Sequence, residues 1–201
     1  IPVAVIIPLH RSVRSAAPAL ERVAGPFHVQ VGPRMEETRL FRIPSEPGKP
    51  KIYCIEHPYF DRAGLYGESG MDYGDNLHRW AFFCRAALES LPRVARSPLV
   101  LHCHDWHTAL APIYLRTYHG DQPFARGIRS VLTVHNAGFQ GHFPASGVPE
   151  IGLPWELYTW QHLEWHDKLN LLKGGLKFAD AATTVSPTHA HELRTVRGQA
   201  H

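Results

Sequence analysis

Two stretches of this chain share one grammar, and they constrain its fold more than anything else in it. Leu99–Leu110 reads L-V-L-H-C-H-D-W-H-T-A-L, and Ser130–Phe143 reads S-V-L-T-V-H-N-A-G-F-Q-G-H-F. Each opens on a short apolar run and breaks abruptly into polar and aromatic residues. An apolar run bounded in this way is the pattern of a strand covered on both faces in a parallel sheet. In open α/β sheets, ligands sit beyond the carboxyl ends of such strands. His102, His104, Asp105, Trp106 and His107 are therefore expected to crown one strand, and His135, Asn136 and Gln140 its partner.

The rest of the chain fits around that pair. Helix-like runs at Thr108–Tyr118, Leu169–Phe178 and Thr188–Arg194 alternate with strand-like runs at Leu99–His102, Ser130–Val134 and Ala181–Val185. That alternation means βαβ units and an α/β fold with a mostly parallel sheet. Ser186-Pro187 supplies an N-cap followed by proline at the first helical position. Nearer the start, Ile1–Pro8 reads as a buried strand that opens abruptly, as if inside a domain. Phe27–Val31 and Thr38–Ile43 read as a hairpin-like pair, and Lys51–Glu56 as a further strand. His57–Asn76 is a decorated loop. From Leu77 a helix begins whose Leu77, Trp80, Ala81, Cys84, Leu88 and Leu91 form one apolar stripe. The aromatic Trp155–Trp165 segment is expected as a short helix, with Trp155, Trp160 and Trp165 packing it against the sheet and an aromatic binding platform as the alternative.

At 201 residues and 44% hydrophobic, the chain can form one sizeable core or a small pair. Its net charge of +3 is mild and its basic residues are scattered, which fits an anionic small ligand and not a nucleic-acid surface. Cys54, Cys84 and Cys103 make an odd set without a C-x-x-C pair, expected as buried free thiols in a reducing compartment. No apolar stretch reaches the length of a membrane span, and no signal peptide opens the chain.

Fifteen histidines oblige a metal reading. His102, His104 and His107 resemble the ligand run of binuclear metallo-hydrolases, yet Trp106 separates Asp105 from His107 and breaks that pattern. A glycosidase needs two carboxylates about the scissile bond, and this region offers Asp105 alone, with Glu150 beyond a long loop. No nucleophile elbow, Walker loop or Cys–His arrangement of recognisable spacing is present. The residues alone describe a polar, aromatic-lined cleft suited to a hydroxyl-rich ligand. Trp106, Tyr66 and Phe139 would stack on sugar rings while Asp, Asn and His take hydroxyls. A metal-dependent hydrolase and a non-catalytic glucan-binding remnant stay open at this point.

The motifs in order carry a closer resemblance. H-C-H-D-W-H-T-A-L-A-P resembles the H-A-H-D-W-x-x-x-L-x-P signature of bacterial glycogen synthases and plant starch synthases. T-V-H-N-A-G-F-Q-G-H-F-P is similar to their T-x-H-N-x-x-Y-Q-G-x-F. F-D-R-A-G-L-Y-G, D-Y-G-D-N-x-x-R-W, G-L-P-W-E, L-N-L-L-K-G-G-L-K-F-A-D and T-T-V-S-P-T-H-A-H-E-L match in order and spacing. The resemblance implies an ADP-glucose-dependent α-1,4-glucan synthase of the GT-B fold, with two Rossmann-like domains facing across a cleft. Residues 1–201 would be part of the N-terminal, acceptor-side domain, lacking its first strand, its K-T-G-G-L loop and the C-terminal donor-binding domain. It implies catalytic roles for Asp105 and His135, and substrate contacts from Tyr66, His104, Trp106, Asn136 and Gln140. It implies no metal or other cofactor, only ADP-glucose as donor and a glucan as acceptor, with the parent's C-terminal domain as partner. Its setting would be a bacterial cytoplasm.

Overall fold

The computed structural model describes residues 1–17, 19–96 and 98–195. The chain divides into two compact units, residues 1–96 and 97–201.

In the first unit, strand β1 (Ala4–Pro8) is followed by helix α1 (Arg11–Ala16), a long hairpin of β2 (Glu21–Val31) and β3 (Arg34–Ile43), and β4 (Lys51–Glu56). The hairpin turns on Gly32, whose φ of 55° lies in the left-handed region that a two-residue turn requires. The sheet order is β1-β4-β3-β2, with β1 parallel to β4 and the other ladders antiparallel. The decorated loop contains a small hairpin, β5 (Gly67–Glu68) with β6 (Met71–Asp72), and leads into helix α2 (Asn76–Val94).

Helix α2 is more deeply buried than its single apolar stripe suggests, because its polar positions are buried with partners of their own. The Arg79 guanidinium, 0% exposed, donates to the Leu65 carbonyl at 2.8 Å and to Asn76 Oδ1 at 3.0 Å. Its guanidinium carbon lies 5.3 Å from the Phe60 ring centre and 5.2 Å from that of Tyr73. Glu36 on β3 accepts from the Tyr59 hydroxyl at 2.8 Å and lies 3.1 Å from His78 Nε2. Buried polar groups need such partners, since an unmade bond costs about 1–3 kcal/mol.

In the second unit, β7 (Leu99–His104) leads through a single turn, α3 (Asp105–Thr108), into α4 (Leu110–Thr117) and then β8 (Ile128–Val134). Next come β9 (His142–Pro144), α5 (Gly147–Glu150), a hairpin of β10 (Glu164–Trp165) and β11 (Lys168–Asn170), and α6 (Leu171–Phe178). Strand β12 (Ala181–Thr184) and helix α7 (Pro187–Glu192) complete it. Strands β12, β8 and β7 form an all-parallel sheet, and β10, β11 and β9 a small antiparallel one. Leu110, Ile113, Leu115, Leu132, Leu163, Leu169 and Leu171 are fully buried. Each such side chain contributes about 1.5–3 kcal/mol.

The α/β class expected from the sequence holds, with helices alternating with parallel strands from β7 onward. Hydrogen bonding divides the described strands among four sheets, so β1 and β7 are each the end member of their own sheet. Cys54, Cys84 and Cys103 are buried thiols outside any disulfide, as expected. Among the described residues, no helix is long and apolar enough to cross a membrane. Ser186 caps α7 as anticipated, its hydroxyl accepting from the His189 N–H at 3.1 Å.

The aromatic segment departs from expectation. Instead of a helix, it holds a 3-10 turn at Trp155–Leu157 and the β10–β11 hairpin. Trp155, Trp160 and Trp165 are 55%, 72% and 43% exposed, so they do not pack against the sheet. Left-handed φ angles at His166 (49°) and Asp167 (63°) turn the hairpin. Leu163 and Leu169 then point into the core while the indoles face water.

Candidate active site

The parallel register of β7 and β8 builds the site. Cα pairing sets His102 against Val131 and His104 against Thr133, which carries β8 on to His135 just beyond its end. The two-residue period of a strand puts His102 and His104 on one face. Their ring centres lie 4.3 Å apart, while Cys103 points into the core, where burial pushes its thiol up to about 12. His104 Nδ1 lies 3.0 Å from His135 Nε2. His102 Nε2 lies 2.7 Å from Thr133 Oγ1, which lies 2.6 Å from Thr183 Oγ1 on β12. A polar network thus crosses all three strands. Burial, then the neighbouring His102 and His135, hold His104 below the ordinary histidine range and so neutral.

Asp105 stands where β7 gives way to helix, at a left-handed φ of 56°. Aspartate tolerates that region better than most residues, at a cost of order 1 kcal/mol. Its Oδ1 accepts the His135 N–H at 2.7 Å. The Thr108 hydroxyl steadies the turn, accepting from the His104 N–H at 2.5 Å and donating to the His104 carbonyl at 2.8 Å.

Trp106 lies over the loop after β8. Its ring centre is 5.9 Å from that of Phe143, and a Cβ on Gly141 would stand 2.7 Å from Trp106 Cε3. Asn136 Oδ1 accepts from the Gly138 N–H at 2.9 Å, closing an Asx turn, and Phe139 is exposed beside it. Gln140 donates to the Ala137 carbonyl at 3.0 Å and accepts from Asn170 Nδ2 at 2.7 Å. Asn170, almost fully buried, also caps α6 by accepting the Lys173 N–H at 2.9 Å.

The structure therefore brings Asp105, His104 and His135 into direct contact, with Trp106, Asn136 and Gln140 on the adjoining turn and loop. Tyr66 belongs to the first unit, where its carbonyl accepts from Asn76 Nδ2 at 2.8 Å and its side chain is exposed. Sequence reasoning missed Asn170, Asn76 and Arg79, which brace these segments. An asparagine directly before the apolar Leu171–Leu172 run is an N-cap signal that could have marked the first of them. Among the described residues, no three His, Cys, Asp or Glu side chains converge as metal ligands, and His107 stacks on Trp106 at 4.1 Å. What converges at the ends of β7 and β8 is an anchored carboxylate and a pair of imidazoles beside an aromatic face. Such a set grips hydroxyl groups.

The starch synthase catalytic domain family matches residues 1–201 of the chain. It belongs to that family. A glycogen synthase of Anaeromyxobacter dehalogenans is 43% identical to this starch synthase-type chain over 200 residues, covering 98% of the chain and 40% of the relative. One from Syntrophotalea carbinolica is 42% identical over 193 residues, covering 96% and 40%. Among solved structures, the catalytic domain of starch synthase IV from Arabidopsis thaliana, bound to ADP and acarbose, superposes with a TM-score of 0.81. It is 29% identical, and the match covers 98% of this chain and 40% of that one. The starch synthase-type chain thus spans about 40% of the length of these relatives. Nothing in these matches supports a metal-dependent hydrolase.

Proposed function

We propose that this chain is the N-terminal, acceptor-side part of an ADP-glucose-dependent α-1,4-glucan synthase with a GT-B architecture. It moves glucose from the nucleotide to the non-reducing end of a glucan with retention at the anomeric carbon. The remaining donor contacts come from a C-terminal domain of the same parent protein, which works in a bacterial cytoplasm. The reading draws support from the glycogen synthase relatives and from the starch synthase IV structure, described with ADP and acarbose.

The observation that carries it is the junction of Asp105 with His135: a carboxylate oxygen 2.7 Å from the His135 N–H, beside two imidazoles 3.0 Å apart. With Oδ1 held, Asp105 Oδ2 is the group that accepts a sugar hydroxyl and places negative charge near an oxocarbenium-like centre. His135 and its partner His104 hold further hydroxyls, Trp106 offers a face to a sugar ring, and Asn136 and Gln140 shape the loop. The chemistry asks for no side-chain nucleophile and no metal. Positioning and preorganised charge lower the barrier.

Asp105→Asn, in the enzyme at its relatives' full length, tests the reading. Asparagine also tolerates a left-handed backbone, so the substitution removes charge and leaves the turn. Glucan elongation should fall by two to three orders of magnitude, about 3–4 kcal/mol in the barrier. Near-normal elongation would overturn the assignment. Residues 1–201 alone should show no ADP-glucose turnover.

A further inference from the structure

We infer that the β10–β11 hairpin carries a second glucan-binding site, a platform of Trp160 and Trp165 that takes a run of α-1,4-linked glucose units. The inference rests on the glucan-synthase reading for the identity of its ligand. A cavity of about 390 Å³ opens here, lined by Trp160, Glu164, Trp165, His166, Asp167 and Lys173, none of which belongs to the Asp105–His135 site. It lies within the size range of small-ligand pockets.

Indole rings are costly to leave in water, and a folded chain that keeps several on one surface is presenting an interaction face. This face is held rigidly. Lys173, beside the capped N-terminus of α6, donates from Nζ to the Trp160 and Glu164 carbonyls. The same ammonium stands 5.2 Å from the Trp165 ring centre. Glu164 Oε1 accepts the Asp167 N–H at 3.0 Å across the turn, and buried Leu163 and Leu169 seat the hairpin in the core. A surface fixed before its ligand arrives loses less entropy on binding.

The chemistry of the lining selects the ligand class. A pyranose has an apolar C–H face that lies on an indole and equatorial hydroxyls that donate to carboxylates, and Glu164 and Asp167 line the same cavity as both rings. Those carboxylates repel an anion. A cationic side chain is the other ligand that indoles and carboxylates attract, but the Lys173 ammonium already occupies the cation position over Trp165. A neutral glucan remains. An enzyme that extends a polymer gains from holding it at a second point, because the chain end is then kept at high effective concentration.

The test is a titration of the chain with maltoheptaose, followed through the indole N–H signals of its five tryptophans. Signals from Trp160 and Trp165 should shift together, and Trp160→Ala should weaken that binding by about tenfold or more. The Trp160 ring is mostly in water, so circular dichroism should be unchanged. Trp155→Ala, which removes an exposed indole outside the cavity, should bind as the parent does. Shifts confined to Trp106, no effect of Trp160→Ala, or oligolysine shifting Trp160 and Trp165 where maltoheptaose does not would each overturn the platform. The two readings fail separately. A full-length enzyme that transfers glucose while Trp160 ignores maltoheptaose sinks the platform alone. One that transfers nothing while Trp160 still responds sinks the synthase reading alone.

Discussion

His104 Nδ1 stands 3.0 Å from His135 Nε2, joining the ends of β7 and β8 ring to ring. Of the two facing nitrogens one carries the proton and the other accepts it, since protons on both would set donor against donor. Burial and the neighbouring His102 and His135 keep His104 below its ordinary value of 6.5. On the proposed reading, His104 also orients His135 through this contact.

His104→Ala in the full-length enzyme should reduce kcat by about tenfold, the scale of one lost hydrogen bond in the transition state. In the parent, the acid limb of the pH–rate profile should fall below the ordinary histidine value. His104→Ala should lack the step that His104 contributes. A pH–rate profile unchanged by the substitution would count against the coupling.

Gly141 has a φ of +67°, and a Cβ there would stand 2.7 Å from Trp106 Cε3 and 3.0 Å from Cδ2. Gly141→Ala should combine left-handed strain with displacement of the Trp106 ring, destabilising the fold by about 1–3 kcal/mol. Urea denaturation reads the stability, and the Trp106 indole N–H signal reads the displacement.

Asp180 ties the sheet to its helices. It accepts from the Ser130 N–H at 2.8 Å, the Ser130 hydroxyl at 3.0 Å and Arg129 at 3.0 Å, and it also pairs with Arg116 on α4. These donors, the Ser130 N–H first, hold its carboxyl well below the usual range. Asp180→Ala should cost roughly 1–2 kcal/mol, solvent screening holding the ion-pair share to the low end. Most of that loss should survive high salt in a thermal melt, because the Ser130 N–H is left without its acceptor.

Stability should fall on acidification as pH drops through about 6.5, the ordinary histidine value, towards the lower folded values. Burial lowers the pKa of His10, His57, His104 and His142 from 6.5. Between each folded value and 6.5 the unfolded chain binds more protons, so acid favours unfolding. The lowered carboxyls of Glu36, Asp75 and Asp180 act in the same direction at lower pH. The stability they lend is present above the ordinary carboxylate range and lost as pH falls through their folded values. Melting temperatures measured across this range should descend, and a flat or rising series would refute the linkage.

Much of the architecture is legible in residues 99–195, because strand and helix periods are local. Val-Leu runs, the Ser186 cap and the α6 pattern read directly as β7, β8, α7 and α6. The polar crowns at the ends of β7 and β8 mark the candidate site by the same local signal, although only β8 is largely buried: β7 exposes Val100, His102 and His104, so its expected cover on both faces is absent in the structure. The hydrogen-bond partners within the site are another matter. That the Asp105 carboxylate turns back on the His135 N–H depends on the cross-strand register and on a left-handed φ, which no one-dimensional period reveals. The burial of Arg79 among the Phe60 and Tyr73 rings, and the bond from Asn170 to Gln140, join residues far apart in the chain. So does the outward face of Trp160 and Trp165, where composition suggests core and the hairpin turn decides otherwise. The sequence by itself determined which chemical groups gather at the strand ends, because patterning acts over a few residues. Only the tertiary structure decided which of them touch, because contact depends on register and packing between segments that the pattern leaves independent.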